Sequence, residues 1–435
     1  MAEEEQKRVT FSYGILMVRT RRGLPLMDRF AKFRITKPLA WFMLYLMPIS
    51  AAIIFYIIIR ELLIYLSPQG HIVAGYIRTI SPLANLLLPG INPYVPIFYG
   101  WAAIIIAVVI HEGAHGIVAR SLGMRVKSAG VLFLLIVPIG AFVEVDEKEL
   151  REVRARDSLR VLAAGSGINF IVGLACLALL ILSVSAMAPA VKGVPILSVA
   201  QPSSQLPSPA YSDGFQPGEY IVAINNMQVT DLNYTLRTSG DFQPGQVVNV
   251  TLWKDGQLIV KPNVTLGRIQ VTVVVSNADN VVISNKTYVY PYLGVSSISY
   301  GGLKAEVSDY VNAYKTDPAL YIIPPSFPLI GDLAPADNIP FSALLIGFYS
   351  SPLGAANQVV DNMLFWLFFV NFNLSIFNNL PIYPFDGGQG FERFLVGVGR
   401  GRISDATASR VTVGVTAALV LVLFIVFAGP YLGLF

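Results

Sequence analysis

The residues of this chain best suited to chemistry are His111, Glu112 and His115. They stand as His-Glu-Gly-Ala-His inside the apolar run 108–116. On a helix, side chains four apart share one face, so both imidazoles can point at one metal ion. Neutral imidazole suits zinc, and a catalytic zinc takes three protein ligands with water in the fourth place. Glu112, beside the first ligand, is placed to take a proton from that water. The structural alternative is a polar patch on a packed helix. It would bury two histidines and a glutamate in a membrane-like run without a use, which is costly.

A third ligand has to come from elsewhere. The remaining histidine, His71, falls in a loop expected on the outer side, and the single cysteine, Cys176, reads as a packing residue in an apolar run. One cysteine also excludes a disulfide framework and a cysteine-based zinc site. The better source is 378–388, Asn-Asn-Leu-Pro-Ile-Tyr-Pro-Phe-Asp-Gly-Gly, which closes another apolar run. Its prolines and glycines unwind a helix, and so bring Asp386 in on irregular backbone at the depth of His111 and His115. Taken alone, Asp386 would be an ordinary cap or turn residue. The shared depth favours a ligand.

These residues must be positioned by membrane helices. Hydrophobic residues make up 54% and charged residues 13%, against roughly 25% charged in a soluble domain. Apolar runs at 38–66, 98–119, 161–188, 361–380 and 411–428 are long enough to cross. Segment 1–37 is polar, shows no removable signal peptide and holds nine Lys and Arg, against only Arg78 in 67–97. The positive-inside rule then puts the N-terminus in the cytosol. Arg120, Arg125 and Lys127 mark the cytosolic exit of the second span. Nine residues separate His111 from Arg120, about 13 Å of helix, so the site is expected inside the bilayer but off its middle.

Segment 129–145 is apolar, contains Pro138-Ile139-Gly140 and is flanked by basic residues on both sides. Both ends belong in the cytosol, so it is expected to be re-entrant and not a span, with a surface β-hairpin as the alternative. In the third span, Gly165, Asn169 and Gly173 stand four apart. Small residues allow close helix packing. They do not explain Asn169, whose amide, beside a zinc, can hold a substrate carbonyl or the developing oxyanion. Residues 189–340 change character, with more Gly, Pro, Asn, Ser and Thr and period-two alternation at 247–253 and 271–275. Sequons at Asn233, Asn249, Asn263 and Asn285 fit a non-cytosolic surface. This part is expected to be a soluble, β-rich extracytoplasmic domain. Residues 341–349 are apolar but too short to cross. Segment 341–435 then completes the membrane domain begun at 38–188.

The order and spacing of these motifs resemble the site-2 protease family of intramembrane zinc metalloproteases. His-Glu-Gly-Ala-His at 111–115 matches that family's zinc motif. Gly165-x-x-x-Asn169-x-x-x-Gly173 matches its second motif, and Asn378-x-x-Pro381 through Asp386-Gly387 its third. Pro138-Ile139-Gly140-Ala141-Phe142 is similar to its Pro-x-Gly-Gly-Tyr segment, with departures at Ala141 and Phe142. Residues 213–225 resemble the core of a PDZ domain, placed at about 190–300, with Glu219 where Asp is usual. The resemblance implies an α-helical polytopic membrane protein of about five spans plus a re-entrant segment, with an inserted PDZ-like extracytoplasmic domain. It implies zinc on His111, His115 and Asp386, with Glu112 as general base. Asn169 and Asn378 would hold the substrate backbone or oxyanion, and Pro138, Ile139, Gly140, Ala141, Phe142 and Val143 would lend a strand edge to an unwound substrate. The implied partners are transmembrane proteins already trimmed by another protease, and membrane lipid; no nucleic acid is expected.

Two other classes fit parts of the pattern. A membrane scaffold with a PDZ-like domain and a structural zinc would need a fourth protein ligand, and only three good ones are found. A metal-dependent hydrolase of a lipid or small amphiphile would have no obvious use for a PDZ-like domain.

Overall fold

The computed structural model describes residues 9–12, 15–92, 94–134, 137–203, 208–276, 282–316, 318–322 and 347–435. The chain divides into two compact units. One comprises 1–180, 317–340 and 362–435, the other 181–316 and 341–361.

The helices of the first unit are α1 (Leu24–Ala31), α2 (Thr36–Tyr65), α3 (Gly70–Arg78), α4 (Ile97–Ser121), α5 (Glu147–Glu152), α6 (Ala155–Ser185, up to Leu180), α7 (Asn357–Asn378, from Asn362), α8 (Asp386–Gly399) and α9 (Asp405–Leu432). Among the described residues, five are long and apolar enough to cross a membrane: α2, α4, α6, α7 with a short 3-10 turn before it, and α9. Each coincides with one of the five expected spans. Their roles differ in packing. Two thirds of the apolar window of α7 is buried (67%), against 11% for α9. The helix that ends in the Asn-Asn-Leu-Pro stretch is therefore at the centre of the unit, and the last helix lies at its edge.

The helix that carries the histidines has defined ends. Pro96 precedes its first turn, where a missing N–H costs nothing. At the other end Gly123 takes φ +83°, and Met124 N donates to Ala119 O at 3.0 Å. That left-handed glycine stops the helix after Ser121 and turns the chain into a strand.

In segment 129–145 the described residues are two paired antiparallel strands, not a membrane-crossing helix. Strands β1 (Val9–Ser12), β2 (Ile15–Thr20), β3 (Val126–Leu134) and β4 (Val137–Val145) form one antiparallel sheet in that order. The N-terminal segment, expected to be merely polar, therefore supplies two strands and α1. The apolar run Ile15–Val18 is too short to announce a strand without the hairpin it pairs with. β4 is the sheet's edge, and Gly140, Ala141, Phe142 and Val143 lie on it. The side chains of Pro138 and Ile139 lie outside the described residues, as do 341–346 of the short apolar segment 341–349.

The second unit is β-rich. Strands β5 (Ala188–Pro189), β6 (Val194–Val199), β7 (Tyr220–Ile224), β8 (Met227–Gln228), β9 (Val247–Lys254), β10 (Gln257–Thr265), β11 (Gly267–Ser276), β12 (Val282–Tyr292), β13 (Val295–Ser297) and β14 (Tyr349–Ser350) belong to it. Its main sheet runs β10-β9-β7-β6-β13, with β8 on β7. Alternation in β9 buries Val248, Val250 and Leu252 against Ile196, Ile221 and Ile224. Glu219, 4% exposed, accepts from Gln216 N at 2.9 Å and faces Lys254 at 3.6 Å, so its charge is both bonded and paired.

Candidate metal centre

The site is built within the first unit from α4, α6, α7 and the start of α8. One turn of α4 presents His111 and His115, whose rings meet edge to face at 4.9 Å between centroids. The main chain unwinds after Asn378 through the Pro381 and Pro384 stretch and starts α8 at Asp386. This returns the carboxylate to the histidines. His111 Nε2 lies 3.1 Å from Asp386 Oδ2, His115 Nε2 lies 3.2 Å from the same oxygen, and the two Nε2 atoms are 3.2 Å apart. This is the His-His-Asp group of the described residues in which three ligand atoms converge.

The triangle fits zinc. Ligands at about 2.0–2.1 Å from a tetrahedral zinc stand about 3.3–3.4 Å from one another. The observed sides of 3.1–3.2 Å are close to that. The outer nitrogens are also engaged. His115 Nδ1 meets Val161 O at 2.7 Å, which fixes the ring and leaves Nε2 for a metal. His111 Nδ1 lies 3.4 Å from the Asn169 side-chain amide, whose Oδ1 is buried without a partner. Turning that amide would let Oδ1 accept from Nδ1–H, the same second-layer arrangement.

Glu112 follows His111 in α4. Its Oε2 accepts from Val143 N at 2.9 Å. A backbone N–H of β4 that points away from β3 is thus aimed at this carboxylate, so the free edge of the sheet runs beside it. Asn378 stands at the rim of the triangle. Its amide donates to Asp386 Oδ2 at 2.9 Å and lies 3.1 Å from His111 Nε2.

His111, Glu112, His115, Asn169, Asn378 and Asp386 therefore lie together, and Val143 of β4 reaches the group through Glu112. Two further features were not foreseen. Gly165 reads in sequence as a packing residue, yet a Cβ there would run into the Nε2 atoms of both histidines. Gly173, the last residue of the same motif, does pack on backbone: its Cβ would stand 3.0 Å from Phe372 N. Behind the site lies a chain of buried polar groups. Ser166 Oγ donates to Asn379 Oδ1 at 2.7 Å, Asn379 Nδ2 donates to Ser50 Oγ, and Ser50 Oγ donates to Leu46 O at 3.0 Å. It ties α2, α6 and α7 together one residue away from Gly165 and Asn378. The signal was present as a second asparagine and two lone serines in apolar runs, but neither spacing nor period pairs them.

Comparison with known proteins supports the geometry. A family model described as Peptidase family M50 matches residues 99–423. An uncharacterized protein of Methanocaldococcus jannaschii, MJ0971, is 26% identical over 282 residues, which is 64% of this chain and 70% of that protein. The family match spans the histidine helix, the sheet edge and the aspartate turn alike. This multi-pass membrane protein belongs to Peptidase family M50, the site-2 protease family of metalloproteases.

Proposed function

We propose that the chain is an intramembrane zinc metalloprotease that hydrolyses peptide bonds within transmembrane segments of other membrane proteins. The observation that carries this reading is the junction of the His111–His115–Asp386 triangle with a sheet edge through Glu112. A zinc site alone would serve many hydrolases. A free strand edge bonded to the candidate base is what a peptide substrate needs.

His111, His115 and Asp386 would hold the zinc. When bound, it supplies a Lewis acid and a water of lowered pKa. Glu112 takes up the proton of the attacking water and is placed to return it to the leaving nitrogen. Asn378 turns its amide from Asp386 towards the substrate carbonyl, where negative charge develops. Asn169 orients His111 from behind, in addition to the oxyanion role its motif implies. The outer edge of β4 takes an unwound stretch of substrate by strand addition. A helical substrate hides its carbonyls in its own hydrogen bonds, so that edge gives the opened backbone partners that lipid cannot.

The same reading puts the N-terminus in the cytosol and the β-rich unit outside. Its PDZ-like part would meet the outer stump of a substrate already trimmed by another protease. The test is reconstitution of the full chain in vesicles with model single-span substrates. A cut within the span, abolished by a chelator and restored by zinc, is expected. Cleavage that ignores the chelator, or that persists in Glu112→Gln, overturns the reading.

A further inference from the structure

An apolar cavity of about 630 Å³ opens beside the site. Met27 and Phe30 of α1, Val109 and Gly113 of α4, and Ala141 and Val143 of β4 contribute to its wall. Among the described residues that line it, Glu112 is the one ionisable group. The cavity is thus greasy throughout and reaches the candidate base at one point.

Two glycines of the motif helix border this region, and they differ. Gly116 is fixed by packing: a Cβ there would stand 2.7 Å from Met27 Sδ and 3.0 Å from Val143 Cγ1. Gly113 is not. A Cβ at Gly113 would meet nothing within 4 Å. It lies inside α4, where the backbone is helical and a glycine weakens the helix relative to alanine. Neither packing nor a left-handed φ accounts for it. What the missing side chain leaves is room in the cavity next to Glu112.

We propose that this cavity is the subsite for the substrate side chain next to the scissile bond, that it takes a large apolar residue such as Leu, Met or Phe, and that Gly113 sets its size. This rests on the protease reading above. A strand added to the outer edge of β4 points alternate side chains to the two faces of the sheet. Val143 on β4 packs towards Gly116 of α4, so one of those faces looks onto the motif helix and the cavity. Ligand pockets of about 300–1,000 Å³ bury whole small ligands, so one large side chain is well within reach.

The experiment uses the full chain in vesicles and four single-span substrates, with Gly, Ala, Leu or Phe after the scissile bond found for the wild type by mass spectrometry. The wild type should prefer Phe and Leu to Gly by about tenfold or more in kcat/KM, the scale of small changes in an apolar pocket. Gly113→Leu should lower the Phe-to-Gly ratio by about tenfold or more, with Gly113→Ala moving it the same way by less. Met27→Ala, which enlarges the cavity from the opposite wall, should raise it. Should Gly113→Leu unfold on heating far below the wild type, Gly113→Ala and Met27→Ala carry the test. A ratio that stays fixed in these variants, as it would if a lipid chain filled the cavity, overturns the subsite and leaves the protease standing. A wild type that cuts no single-span substrate, so that mass spectrometry finds no scissile bond, overturns the protease reading itself.

Discussion

Gly165→Ala isolates the contact between α6 and the metal ligands. A methyl at this position would stand 2.5 Å from His111 Nε2 and closer still to His115 Nε2, where ordinary contact begins at 3.4 Å. The rings must therefore retreat by about 1 Å, or α6 must move away from α4. Misplacing reacting groups by about 1 Å costs on the order of a hundredfold in rate, or about 2.7 kcal/mol. Helix stability works in the opposite direction, since Gly to Ala inside a helix gains about 0.5–1 kcal/mol. The expected variant is thus folded, melts no lower than the wild type by more than a few degrees, and has weakened zinc binding and turnover. Gly173→Ala is the control. Its methyl would press on Phe372 backbone, at 3.0 Å from N and 3.3 Å from Cα, far from any ligand. It should lower the melting temperature and leave zinc bound. The assays are zinc affinity against a competing chelator, cleavage rate and thermal melting. Stoichiometric zinc of wild-type affinity and wild-type turnover in Gly165→Ala would refute the reasoning.

Glu112→Gln keeps the shape and drops the basicity, so it should retain zinc and lose cleavage; wild-type turnover in the variant would remove Glu112 from the role of base. Ser50→Ala and Asn379→Ala should each lower kcat with KM and zinc content little changed, because each leaves a buried partner unsatisfied at a cost of about 1–3 kcal/mol. The double variant should lose no more than the worse single one, and strict additivity in this cycle would show that the two do not act as one chain. Cysteines placed singly at Arg125 and Lys148, both exposed, in a Cys176→Ala background, should both label only from the cytosol; labelling from opposite sides would overturn the topology.

Much of this arrangement can be read in the sequence because membranes impose a strong rule. A span must satisfy its own backbone, so apolar length alone marks α2, α4, α6, α7 and α9. His111, His115 and Asp386 are legible for a related reason: ionisable groups in such runs are rare enough to demand a use. The sheet that borders the site is much less visible. β1 and β2 are separated from β3 by more than a hundred residues, and pairing over that distance leaves no local period. Gly165 shows the other limit. Its sequence signal, a small residue four from Asn169, is the same whether the neighbour is a backbone, as at Gly173, or a pair of imidazoles. Ser50, Ser166 and Asn379 come together only in three dimensions. A lone serine in an apolar helix usually bonds its own carbonyl four residues back, as Ser50 does with Leu46.

The bond from Val143 N to Glu112 connects the two hardest steps asked of this site. Opening one turn of a substrate helix within the bilayer exposes several amides and carbonyls, each costing several kcal/mol if it finds no partner. β4 is nine residues long, and every second residue of an edge strand presents its N–H and C=O outward. Roughly four residues can therefore re-satisfy an opened segment, about as many as one helical turn releases. The catalytic end of that edge is fixed because Val143 N is already aimed at Glu112 at 2.9 Å. A segment that docks on β4 in register is carried past the base and the His111–His115–Asp386 triangle by the same hydrogen bonds that compensate its unwinding. A helix that stays closed cannot make those bonds and keeps its carbonyls hidden. Selection for segments that open readily then needs no separate recognition device. Gly or Pro near the scissile bond, at positions other than the one whose side chain enters the cavity, lower helix preference by about 1 and 3 kcal/mol and should speed cleavage. The same residues far up the span should not, since they ease opening where no strand edge waits to receive it.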